Sequence, residues 1–552
     1  MIVGIDMGGT HIDGVIIKDG NIIKTIKNPT NRNDLFETIW TTLKQLLDGN
    51  DKNQITRINL STTISTNAIV ENKVSKVGLI IQSGPGRNYD FTNVTENLGL
   101  ISGYIDHRGK IVKDLNSQEL LAYKQTFKDN DVEAVGVVTK FSTRNPSHEK
   151  RILELYEAEF DHITMGHSLS GKLNFLRRVN TSYLNAAVYK TFNDFAFNIE
   201  KALKQAGINA PVYILKADGG TMNLKMATKK PVETILSGPA ASFMGLSAMF
   251  EENQDGILLD IGGTTTDIFF LVNGVQLFEP LGISIDNHKT LIRAIYSKSI
   301  GLGGDSYISV VNKEIKIGPK RMGKPLAFGG EYLTPTDAMV ALDKMQAPFK
   351  EKSIKALKAM GSQLDMDVNQ LAKYILEKMA DIIYVNVIQT LDKINSKPVY
   401  TIKELLQDYK LSPKFINVIG GPAKILAPYL ESKFNLKVKF PLQYEVANAI
   451  GAALAKPTME INLHADTERA ILSVSEVNLY QSIDRNYNLD KAIDQALAII
   501  KSNTENINGE VEAEIVDANS YNMVKGYMSA SKNIRVRAQV KPGLIYMLKG
   551  ED

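Results

Sequence analysis

The 552-residue chain is 43% apolar, enough to bury several cores and too much for one small module. Its 64 basic and 61 acidic residues nearly cancel, and no run of five like charges marks a nucleic-acid or acidic-lipid tether, so the expected partners are small molecules or proteins. The absence of cysteine excludes disulfides, thiolate-bound zinc, iron–sulfur clusters and a thiol nucleophile. No stretch approaches the roughly 20 apolar residues of a membrane span. The chain opens directly on the strand-like Met1-Ile2-Val3-Gly4-Ile5, so the expectation is a soluble cytoplasmic protein.

In chain order, the first apolar run ends at Asp6 and is followed by Gly8-Gly9-Thr10, Asp13, a second run and an Asp19-Gly20-Asn21 turn, the pattern of a β-hairpin. Ser61-Thr62-Thr63-Ile64-Ser65-Thr66-Asn67-Ala68 reads as a polar strand-to-helix junction whose hydroxyls and N–H groups suit a phosphate or substrate oxygen. Ser142-Thr143-Arg144-Asn145-Pro146 opens a Pro-started helix, with Arg144 and Asn145 read as a solvated cap carrying one salt bridge. A long helical stretch from Phe175 to Ala206 contains Asn185. The apolar Val212–Leu215 then leads to Ala217-Asp218-Gly219-Gly220, a carboxylate at a strand end beside a turn that permits close approach.

Past the small-residue stretch Ser237-Gly238-Pro239-Ala240-Ala241 with Gly245 and Ala248, the opening segment returns 254 residues on. Asp6, Gly8, Gly9, Thr10, Asp13 and Gly20 recur as Asp260, Gly262, Gly263, Thr264, Asp267 and Gly274. The Gly301-Leu302-Gly303-Gly304 run lacks a clear preceding Rossmann strand, so a dinucleotide site is rejected. Ser353 to Ile394 is strongly helical with a break over Leu364–Val368, and Phe415–Ile419 is a strand running into Gly420-Gly421-Pro422 and a helix. Glu445–Ala455 is again rich in small residues, Leu489–Ile500 is helix-periodic and Ile534–Val540 alternates as a strand.

The repeated hairpin carries its own chemistry. Paired glycines let backbone N–H groups reach a phosphate, and the following threonines (Thr10; Thr264, Thr265 and Thr266) offer hydroxyl donors. Asp6 and Asp260, each ending an apolar strand, are the candidate catalytic and metal carboxylates. A carboxylate beside an anionic triphosphate repels it unless a cation intervenes, and Mg²⁺ is usually held through water. Asp13 and Asp267 divide between phosphate-side support and hairpin structure.

These segments resemble the actin, sugar-kinase and heat-shock ATPase superfamily. Within it they resemble the hydantoinase/oxoprolinase ATP-binding subunits (hydantoinase A-like) over most of residues 1–455. The resemblance implies an α/β, two-lobed actin-like ATPase (ribonuclease H-like) fold with inserted elements and a small α+β C-terminal region. The expected organisation is a first lobe over 1–250, a second lobe over 251–460 with a helical subdomain and adenosine motif, and a small region over 461–552. It also implies ATP with Mg²⁺ as cofactors, the two clasps with Gly420, Gly421 and Pro422 as the nucleotide site, and lobe closure about the two small-residue connectors. The substrate-side candidates are Thr63, Asn67, Asn185, Asp218, Gly219 and Gly220.

The chain also departs from the family. Tyr296-Ser297-Lys298 stands where an Asp-x-His is common, His11 replaces an aromatic residue, and the C-terminal region is shorter. A role for the family histidine does not carry over, although Asp286-Asn287-His288 is nearby in sequence. The leading expectation is ATP-dependent hydrolysis of a cyclic amide of hydantoin, oxoproline or lactam type, by phosphoryl activation of its carbonyl oxygen, alongside a second, larger subunit. The alternatives are ATP-dependent ketone carboxylation and a non-catalytic, regulatory ATPase. A sugar kinase fits less well, because no sugar-kinase substrate motif is found, and no oligomeric state follows from the sequence.

Overall fold

The computed structural model describes residues 1–8, 11–31, 34–86, 89–279, 281–396, 410–504, 512–525 and 528–549, and it contains two sheets built to one plan. In the first, Ile2–Met7 pairs antiparallel with His11–Lys18 and parallel with Arg57–Thr62, which in turn pairs parallel with Val212–Leu215. In the second, Gly256–Ile261 pairs antiparallel with Thr266–Val272 and parallel with Phe415–Ile419, which pairs parallel with Lys437–Lys439. Asp6 stands opposite Asp13 and Asp260 opposite Asp267, so the sequence repeat is also a repeat of register. Both leading strands are covered on their two faces, which is why they read as continuous apolar runs and do not alternate.

Two helices, Ser237–Met249 and Ala447–Leu454, cross where the sheets meet. Their small residues are required by backbone contact. A Cβ on Gly451 would collide with the Ala241 carbonyl, one on Gly245 with that of Ala447, and one on Gly4, in the first strand, with that of Ala449. This is the α/β architecture the sequence predicts.

Three additions surround this frame. A parallel sheet in the order His162–Met165, Ala134–Thr139, Val77–Gln82, Asn97–Leu100 is inserted into the first half, and the helix Phe175–Ala206 packs against both it and the first sheet's helix Leu35–Leu47. Helices Lys350–Gly361 and Val368–Ser396, broken where predicted, bury their apolar faces in the core of the second sheet. A five-stranded antiparallel sheet is built from Glu460–Asp466, Ile471–Val474, Leu479–Ser482, Ala513–Lys525 and Met528–Val540. The helix Leu489–Asn503 covers one face of it through Ala492, Ala496 and Ile500. Among the described residues no helix is long and apolar enough to cross a membrane.

Candidate functional site

Each hairpin turns in the same way. The Gly8 N–H donates to the His11 carbonyl at 3.0 Å, and the Gly262 N–H donates to the Thr265 carbonyl at 2.9 Å, so the first glycine of each motif closes its own turn. Gly9 and Thr10 lie outside the described residues. In the second hairpin Gly263, Thr264 and Thr265 are exposed at the tip, whereas Thr266 is buried and its hydroxyl donates to the Leu302 carbonyl at 2.7 Å. The glycine run the sequence left without a task braces this loop. The Gly304 N–H donates to the Gly262 carbonyl at 3.0 Å and the Asp305 N–H to that of Gly263 at 2.7 Å. Arg321 then ties Asp305 (2.9 Å) to the Thr264 hydroxyl (3.2 Å).

The four motif carboxylates converge where the lobes meet. Asp6 is 7% exposed; burial first, then the charge of Asp13, pushes its carboxyl up to about 7, an effect partly offset by Ser61 and Asn448 beside it and reinforced by Asp260. Burial likewise raises Asp260, against donation from Ser242 (2.6 Å) and the proximity of Asn448. Burial and the charge of Asp260 push Asp267 up to about 7. Asp13 is raised by burial despite its ion pair with Lys27 at 2.9 Å. One oxygen each of Asp6 and Asp267 is buried without a hydrogen bond. Carboxyls held this high, with unpartnered oxygens, suit a cation. Among the described residues no group of three or more acidic or histidine side chains could hold a metal by itself, so any ion here keeps water or ligand oxygens, as Mg²⁺ does.

The third wall is the Gly420-Gly421-Pro422 loop. Gly420, at φ +93°, sits directly against the Ile261 carbonyl and the Asp260 carboxylate, where a Cβ has no room. A Cβ on Gly421 would meet nothing within 4 Å, so this loop presents bare backbone to open space, and Pro422 lies against Gly304. Ser242, Asn448, Lys27, Asp305 and Arg321 are site residues that the sequence reading missed. Only Lys27 had a local signal, since hairpin register places it opposite Asp13.

The substrate-side candidates separate into two places. Thr63 is at the first clasp, its N–H donating to the Met7 carbonyl at 3.2 Å, and the Asn67 amide donates to its hydroxyl at 3.1 Å. Asn185 and Asp218 instead line a cavity of about 640 Å³ between the inserted sheet, the edge of the first sheet and the C-terminal sheet, and no clasp residue lines it. Asn185 there binds Thr164, Lys229 and Val232. Asp218 accepts from Lys216 at 3.3 Å and from the Gly220 N–H at 3.0 Å. Gly219 has φ +83°, and Gly220 lacks a side chain because Thr458 of the same chain packs against it. His288 packs against Tyr183 of the helix Phe175–Ala206, in a short hairpin.

With this geometry in view, two family models match successive parts of the chain: "Hydantoinase/oxoprolinase N-terminal region" over residues 2–160 and "Hydantoinase/oxoprolinase" over residues 178–461. The chain belongs to the hydantoinase/oxoprolinase family. Its relatives in that family include the caprolactamase subunit alpha of Pseudomonas jessenii, 26% identical over 61% of this chain and 54% of the relative. They also include the acetophenone carboxylase gamma subunit of Aromatoleum aromaticum, 26% identical over 62% and 53%. The chain thus spans about half the length of the curated relatives it matches. Among solved structures, a nucleotide-free acetone carboxylase superposes over 100% of this chain and 88% of its own (TM-score 0.72, 15% identity). The ATP-dependent caprolactamase of Pseudomonas jessenii superposes over 99% and 88% (TM-score 0.68, 18% identity). The fold is the two-lobed α/β actin-like ATPase fold, and the C-terminal sheet, beyond the family-model matches, belongs to the superposed architecture.

Proposed function

We propose that the chain binds ATP with Mg²⁺ between the two clasps and uses it to activate the carbonyl oxygen of a cyclic amide, working with a second, larger subunit. The observation that carries this reading is the convergence of Asp6, Asp13, Asp260 and Asp267 at matched registers, with one buried unpartnered oxygen each on Asp6 and Asp267, beside the open backbone of Gly421. Bound ATP supplies a phosphoryl group that turns an amide oxygen into a leaving group. Asp6 and Asp260 hold the hydrated cation, Gly263 and Thr264 with Gly9 and Thr10 present donors to phosphate oxygens, and Gly420, Gly421 and Pro422 form the wall for the nucleoside. Asp13 and Asp267 support the clasps from the second strand. Thr63 and Asn67 stand beside the first clasp for the oxygen being activated, whereas the cavity lined by Asn185 and Asp218, next to Gly219 and Gly220, is a separate substrate-side pocket that no clasp residue lines.

The names of the relatives support an ATP-dependent reaction on a carbonyl compound and a multi-subunit assembly. Phosphate release should be assayed with hydantoin, 5-oxoproline and caprolactam, and with ketones plus bicarbonate, each with and without the partner subunit. Stimulation by a cyclic amide alone is expected. Stimulation only by a ketone with bicarbonate would replace this reading with carboxylation, and no substrate-dependent turnover in the complete assembly would leave a regulatory ATPase.

A further inference from the structure

The turn Ser142–Asn145, expected to be a solvated cap, is buried against the C-terminal sheet. The Thr143 carbonyl accepts from Ser473 Oγ at 3.1 Å, and the Asn145 amide donates to the Gly109 carbonyl at 2.9 Å. Arg144 is left only 7% exposed, and among the described residues its guanidinium forms no hydrogen bond and no ion pair. Burial, then the charge of Arg535, lowers its pKa to about 9, so it still carries its charge at neutral pH. Its guanidinium nitrogens keep some contact with solvent, since none is among the fully buried atoms without a hydrogen bond, but a mostly buried cation with no counter-charge of its own is unfavourable and suits an anion.

The carboxylate in electrostatic reach is already occupied. Asp466 accepts the Arg108 fork (Nε at 3.0 Å, Nη2 at 2.8 Å) and the backbone N–H groups of Glu468 and Arg469 at 3.0 and 3.1 Å. Glu468 also pairs with Arg108, at 2.9 Å. Two more guanidiniums, Arg469 and Arg535, have no carboxylate partner among the described residues; Arg469 donates to the Arg108 carbonyl and Arg535 to Asn533. Arg535 stands directly across the sheet from His464. Burial, then Arg144 and Arg535, push the His464 imidazole down to about 2, so it is neutral and offers the cluster no competing charge.

We propose that Arg144, Arg469 and Arg535, around neutral His464, form a partly open binding site for a small oxyanion of phosphate or carboxylate type, where the inserted parallel sheet meets the C-terminal sheet. Planar guanidinium forks match the oxygen geometry of such ions, and several converging forks replace the water they displace. The ligand joins two parts of the fold, so its binding also fixes the C-terminal sheet on the insert. The site stands independently of the nucleotide reading.

The test is calorimetric titration of the full chain with inorganic phosphate and, separately, acetate at fixed ionic strength. Excess non-hydrolysable ATP analogue and Mg²⁺ are present so that any phosphate position in the cleft is filled. The wild type should bind one of the two ions and melt at a higher temperature in its presence; phosphate identifies a tetrahedral ligand and acetate a planar one. Arg144→Gln should weaken that binding at least about tenfold, keep its nucleotide affinity, and melt no lower than wild type in anion-free buffer, because a buried unpaired charge has been removed. Arg535 is exposed, so Arg535→Gln folds normally and should weaken the same ion about threefold. Failure of both ions to bind, or unchanged affinity in both variants, overturns the site.

Discussion

In the first hairpin Asp13 is answered by Lys27 at 2.9 Å, whereas Asp267, its counterpart in the second, has no basic partner among the described residues and keeps one oxygen buried without a hydrogen bond. The leading strands differ too. Asp260 accepts from Ser242 on the first connecting helix, while Asp6 keeps a buried, unpartnered oxygen. The second tip is braced by Gly304, Asp305 and Arg321, and its strand end is closed by Gly420. The same register therefore carries two electrostatic environments, because register is set by local pairing and charge balance by what distant segments bring. Unpartnered acidity is concentrated in Asp6 and Asp267, diagonally placed on the two hairpins.

The largest expected effect comes from removing one leading carboxylate. Asp260→Asn and Asp6→Asn should each lower the rate of ATP hydrolysis about 100-fold, with loss of magnesium dependence and retention of fold, the scale of one lost transition-state electrostatic contact. Steady-state phosphate release across a magnesium series reads this, and wild-type rates in both variants would reduce the carboxylates to structural caps.

A smaller effect separates the two glycines of the third wall. Gly421→Val enters open space, so the apo melting temperature should hold while ATP affinity drops about tenfold. Gly420→Val meets the Ile261 carbonyl and should cost about 2–4 kcal/mol of stability, read by urea unfolding. Equal melting temperatures for the two variants would contradict the placement of this loop.

The pH dependence probes the same asymmetry. Asp6 and Asp267 are raised from an ordinary 3.8 to about 7, so the folded protein binds protons the unfolded chain has released. Stability is then greatest below about pH 4 as far as these groups are concerned, and it falls as pH rises from there through 7. Metal-free protein should melt lower at pH 8 than at pH 5.5. Asp267→Asn should flatten that slope, and Mg²⁺ should restore stability chiefly at the higher pH. A slope unaltered by Asp267→Asn would place the titration elsewhere. The smallest effect is Lys27→Met: its side chain is 43% exposed, so the loss of its pair with Asp13 should cost about 0.5 kcal/mol or less in thermal unfolding.

What was legible in the sequence was local or repeated. The hairpins, the helix Phe175–Ala206 and the break before Val368 follow from periodicity and turn residues. The connectors were legible because close backbone contact demands small side chains. The inserted parallel sheet and the docking of the C-terminal sheet depend on pairings across long stretches of chain, as does the arrival of Asn448 between Asp6 and Asp260, and no local pattern announces them. Gly220 shows the converse hazard: its freedom from a side chain accommodates Thr458 of the same chain. Arg144 shows another, since a polar turn before a helix resembles a solvated cap until a second sheet covers it.

The most direct test of the central claim is calorimetric titration of ATP into the folded chain with and without Mg²⁺, beside the double variant Asp6→Asn/Asp260→Asn. The account predicts one ATP per chain, bound at least about tenfold more tightly with Mg²⁺, and a double variant that binds ATP equally with and without the metal. Absence of magnesium-dependent binding by the well-folded wild type, or full magnesium dependence in the double variant, would contradict it.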